Sequence, residues 1–60
     1  MKDYRVFLKD GDYKDESGVM SFEIENDGKN QTLVLYFDHG YKCPYDMSDV
    51  YAVTLLGETS

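Results

Sequence analysis

The sequence predicts a mainly β domain: a small antiparallel sheet of three to four strands over residues 4–8, 19–25, 32–37 and 50–56, curled or barrel-like. Three observations carry this expectation. Short runs rich in aromatic and β-branched residues alternate with period two, the mark of half-buried strands. Turn-forming Gly, Asp and Asn stand between those runs. Finally, 42% of the 60 residues are apolar and 15% aromatic, enough to offset the ordering entropy that leaves polar chains disordered.

Residues 4–8, YRVFL, place Tyr4, Val6 and Leu8 on one face and Arg5 and Phe7 on the other. Residues 19–25, VMSFEIE, alternate more cleanly, with Met20, Phe22 and Ile24 directed inward and Ser21, Glu23 and Glu25 outward. Asn26-Asp27-Gly28-Lys29 then supplies a hairpin turn, and residues 32–37, TLVLYF, return with Leu33, Leu35 and Phe37 in register for the same core. Residues 38–49, DHGYKCPYDMSD, are interrupted by Gly40 and Pro44 and read as a long connection with one short helical turn at 45–49. Residues 50–56, VYAVTLL, form a continuous apolar run whose valines, Tyr51 and Thr54, and the stop at Gly57, favour a strand. The alternative architecture is α+β, with residues 45–56 helical.

Length and charge bound the function. Sixty residues make a single domain, 1–60, with a small core and no room for a deep cleft. Twelve acids against six bases give a net charge of −6, which disfavours direct nucleic-acid binding, because that affinity comes from Lys and Arg displacing counterions. Basic partners fit instead. The single Cys43 closes no internal disulfide, and the opening MKDYRVFLKDGD is charged from its second residue without a long apolar run. A reducing, cytoplasmic setting with neither signal peptide nor membrane span is therefore expected, which makes the sequon Asn30-Gln31-Thr32 irrelevant.

Residues 9–17, KDGDYKDES, hold four carboxylates, at Asp10, Asp12, Asp15 and Glu16. A calcium loop starting at Asp10 would need an oxygen ligand at its fifth position, Gly at its sixth and a bidentate acid at its twelfth, but Lys14, Asp15 and Ser21 stand there. The remaining readings are a solvated turn bent by Gly11 and Gly18, or an acidic surface extended by Glu23, Glu25 and Asp27. Glu23 and Glu25 stand two residues apart on one strand face, about 6.5 to 7 Å, a spacing suited to imitating a phosphate track.

His39 and Cys43, four apart, are one His and one Cys where a structural zinc site needs four ligands, and no metal or cofactor is expected. A Cys-His pair also lacks the orienting group, oxyanion hole and cleft of an enzyme. The six tyrosines are better suited to contact than to chemistry: Tyr36, Tyr41, Tyr45 and Tyr51 lie in or beside the long connection, and Tyr offers large area at low entropic cost.

A chain this small and acidic, with no catalytic set and a tyrosine-bearing loop, resembles the small inhibitors that phages encode, anti-CRISPR proteins and other anti-defence DNA mimics among them. That resemblance, one of overall character, implies stoichiometric blockade of a basic nucleic-acid-binding protein. The expected contact residues are Asp10, Asp12, Asp15, Glu16, Glu23, Glu25 and Asp27, with Tyr13, Tyr41 and Tyr45 as apolar anchors. The alternative is a structural or accessory module that forms a homodimer or joins a larger complex through an apolar sheet face, exposing Phe7 or Tyr51. A third class, a carboxylate-rich binder of calcium or zinc, would show itself by a metal-dependent rise in melting temperature.

Overall fold

A computed structural model describes residues 1–58 and contains five strands: β1 (Lys2–Leu8), β2 (Tyr13–Asp27), β3 (Asn30–Phe37), β4 (Lys42–Asp46) and β5 (Val50–Glu58). They form one antiparallel sheet in the order β4-β3-β2-β1-β5. The mainly β expectation holds, with one strand more than the three to four expected. The additional strand is β4, which runs through Cys43 and Pro44 inside the segment read as a connection. Proline is compatible with it because β4 is an edge, where one side of the backbone needs no donor. The helical alternative for 45–56 is overturned: only Met47–Asp49 form a 3-10 turn, capped by Asp46, and Val50 onward is strand.

β2 organises the sheet. Its first half pairs with β1 and its second with β3, and register shifts near residues 16–19 and 19–21 bend it between the two. Gly18, at φ +74°, sits in this bend and donates its N–H to Asp3 Oδ1 at 3.1 Å. A bulge adds a residue to one strand and reverses the alternation beyond it. The residue inserted here is Met20. Val19, opposite Phe37, is therefore buried, whereas Met20 is exposed, correcting its expected inward position.

The core comprises Val6, Val19, Leu33, Leu35 and Val50, with Tyr4, Leu8, Phe37, Tyr45 and Met47 packed around it. Each fully buried aliphatic side chain contributes about 1.5–3 kcal/mol. Phe22 and Ile24 face the same way as their partners Leu35 and Leu33, yet remain 52% and 53% exposed, so the expected hairpin core is only half formed. The reason lies in the shape. The Cα trace measures 36 × 26 × 13 Å, and the sheet does not close, since β4 and β5 are both edges. A thickness of 13 Å leaves no second layer to cover the concave side.

Candidate protein-binding surfaces

The outer face of β2 carries an alternating series. Tyr13 and Asp15 precede the bend, and Ser21, Glu23, Glu25 and Asp27 follow it, reaching the hairpin turn at Gly28. Gly28, at φ +70°, takes the first central position of a two-residue turn, which holds Asp27 opposite Asn30. Glu23 and Glu25 stand opposite Val34 and Thr32, and the Tyr36 hydroxyl donates to Glu23 at 3.3 Å. Desolvation, with the charges of Glu23 and Glu25 behind it, raises the Tyr36 pKa. Among the described residues, neither Lys nor Arg forms an ion pair with Glu23, Glu25 or Asp27, so no contact cation neutralises this half of the row.

The acids of residues 9–17 separate into different roles. Asp10 accepts the Asp12 N–H at 2.9 Å and Asp12 accepts the Tyr13 N–H at 3.2 Å, so both hold the β1–β2 turn together with Gly11, at φ +95°. Asp10 also borders a shallow depression with Lys9, Lys14, Asp46 and Asp49, where two cations offset much of the negative charge. Asp15 receives two hydrogen bonds from Arg5, at 2.7 and 3.0 Å, and Arg5 in turn lies 4.3 Å from the ring centre of Tyr13. Asp15 is thus locally neutralised. Residues 13–18 were expected to be turn; their strand pairing follows from this cross-strand cluster of Arg5, Phe7, Tyr13 and Asp15, which local propensity does not reveal.

Glu16 lies on the concave side, where its carboxylate accepts the Tyr45 hydroxyl. Tyr45 is half-buried against the core, and burial first, then Glu16, raises its pKa far above the ordinary tyrosine value. Both residues are engaged within the fold. Tyr41, at 66% exposure beside Phe37, remains available as an anchor. Cys43 is half-buried; desolvation, followed by the charge of Glu16, raises its pKa and suppresses the thiolate. His39 occupies a tight 3-10 turn at φ +66°. Among the described residues, no group of three or more His, Cys, Asp or Glu is placed to hold a metal ion.

The second surface is an apolar sheet face, as the alternative reading of the sequence expects, but it is built from other residues than Phe7 and Tyr51. Tyr4, Phe22, Ile24, Leu33, Leu35, Met47 and Val53 line an apolar groove of about 250 Å³ on the concave face. Leu55, directly opposite Tyr4, continues it along β5 at 53% exposure. Phe7, named with Tyr51 as an exposed contact, is instead half-buried on the outer face, whereas Tyr51 is 76% exposed. The alternation of Phe22 and Ile24 signalled an inward direction, but nothing local could show that their face would stay uncovered.

No family model, curated protein or solved structure matches this chain. Among the described residues, no helix is long and apolar enough to cross a membrane.

Proposed function

We propose that this protein is a non-enzymatic binding module that presents the acidic outer row of β2 to a basic nucleic-acid-binding surface of a partner protein. The observation that carries this reading is the alternation of Glu23, Glu25 and Asp27 on one strand face, where, among the described residues, neither Lys nor Arg forms an ion pair with them. A rigid row of exposed carboxylates complements a basic channel, steering encounter and setting register. Beyond the bend, where Asp15 is already paired with Arg5, Tyr13 continues the face, and Tyr41 supplies apolar area. The mode of action would be stoichiometric occupation of the partner's channel, as in the phage inhibitors that the sequence resembles.

The test is capture of partners from a bacterial lysate at low and high salt, with competing duplex DNA. A basic nucleic-acid-binding protein retained at low salt, displaced by DNA, and lost with Glu23→Gln/Glu25→Gln/Asp27→Asn supports the proposal. Retention unaffected by these three changes refutes it. Asp10→Asn, beside Lys9 and Lys14, should bind nearly as well as the parent.

The apolar groove favours a second reading, a structural or accessory module that associates with itself or with a larger complex through its concave side. Salt separates the two: apolar association persists at an ionic strength that screens the acidic row.

A further inference from the structure

We infer that the outer edge of β5 is a self-pairing seam through which two copies of the chain join into one continuous sheet. This rests on the self-association reading and names the surface involved; it is independent of the acidic row.

The two sheet edges differ sharply. β4 is five residues long, begins with Lys42, ends with Asp46 and holds Pro44 at its centre, all features that blunt an edge against pairing. β5 is nine residues long and has neither charge nor proline from Val50 to Gly57. Its side chains are exposed at Tyr51, Val53, Leu55 and Leu56, although all four are large and apolar or aromatic. The two register shifts against β1 flank residues 52–55, which pair regularly and so present an even row of outward backbone groups. Such an edge is a template for another strand.

A second copy fits this edge for three reasons. First, an uncharged segment meets itself without like-charge repulsion, which the rest of a chain of net charge −6 would impose. Second, antiparallel pairing about a two-fold axis normal to the sheet keeps both concave faces on one side. Val53 and Leu55 of the two copies then meet there, and the two apolar grooves become continuous across the seam. Third, the blunted β4 edge prevents further addition, so assembly stops at two.

The experiment is light scattering on the full chain from micromolar to submillimolar concentration, at low and high salt, with amide exchange measured at both ends of the range. The expected result is twice the 6.9 kDa mass, undiminished at high salt, with alternate amides of Val50–Glu58 exchanging more slowly as the dimer forms. Leu55→Lys should return the protein to monomer with an unchanged circular dichroism spectrum; if that variant unfolds, Tyr51→Lys serves the same purpose from a more exposed position. A monomer throughout overturns both the seam and the self-association reading. A dimer whose β5 amides exchange as freely as the monomer's, and which Phe22→Glu dissociates, is a face-to-face stack: it overturns the seam and leaves self-association standing. Open-ended aggregation without a defined dimer also overturns the seam.

Discussion

The Tyr45 hydroxyl donates to the Glu16 carboxylate across the concave face, tying edge strand β4 to the first half of β2. These residues are 29 apart in sequence and their strands are separated by β3 in the sheet, so the contact depends on the bend in β2. Tyr45→Phe leaves Glu16 without this donor in a partly buried position and should cost about 1 kcal/mol, which for a domain of this size lowers Tm by about 4–8 °C. A folded-state tyrosine pKa raised above its ordinary value of 10.0 contributes stability that is fully present below that value and is lost as pH rises through the raised folded-state value. Ultraviolet titration should therefore show the same tyrosinate signal for parent and variant through the ordinary tyrosine range. A smaller signal in the variant would mean that Tyr45 ionises normally.

Asp15 bonded to Arg5 implies a different pH dependence. The hydrogen bond, reinforced by the Arg5 charge, holds the Asp15 pKa below its ordinary value of 3.8. A depressed carboxylate stabilises above the unfolded-state value and loses that contribution as pH falls through the folded-state value. Asp15→Asn should lower Tm slightly at neutral pH, with the two melting curves converging in acid below the ordinary carboxylate range. High salt should also shrink the difference, because both groups are solvent-exposed.

The core should respond unevenly to truncation. Leu35→Ala removes a side chain that is 1% exposed and should cost about 2–5 kcal/mol. Ile24→Ala, on the same face but half exposed, should cost about 1 kcal/mol, since only part of its transfer energy is realised. Urea denaturation of both variants measures the contrast. Equal losses would mean that the concave groove is covered in solution, by a second copy or by the chain itself.

His39 is the only described non-glycine residue with positive φ, at +66°. A left-handed backbone costs an L-residue about 1–2 kcal/mol that glycine does not incur. His39→Gly should therefore stabilise the protein, by about 1 kcal/mol once glycine's greater unfolded-state entropy is subtracted. Thermal denaturation checks the sign. No change, or a loss, would show that the imidazole makes compensating contacts.

Much of the architecture was legible because strand chemistry is local. The alternation of residues 19–25, the Asp27-Gly28 turn and the return through Leu33 and Leu35 located the β2–β3 hairpin and the face it turns inward. The first and last strands were also legible from aromatic and β-branched residues. β4 was not, since Pro44 argues against a strand unless that strand is known to be an edge. Nor was the first half of β2, whose acids look like a solvated turn until Arg5 and Phe7 are placed opposite them.

The candidate surfaces divide in the same way. Glu23, Glu25 and Asp27 shared a face by parity alone, so the outer row was readable from residue order. By contrast, Asp15 and Glu16 are adjacent in the chain and alike in chemistry, yet one pairs with Arg5 outside and the other accepts from Tyr45 inside.

By itself, the sequence determined the β character, the hairpin register and the acidic excess, because side-chain alternation, turn residues and charge are properties of neighbouring positions. Only the tertiary structure decided that Val19 and not Met20 is buried, that Phe22 and Ile24 stay half exposed, and that β5 is an open apolar edge. Each of these depends on where a bulge falls or which strand lies beside which, and those are set by the packing of residues far apart in the chain.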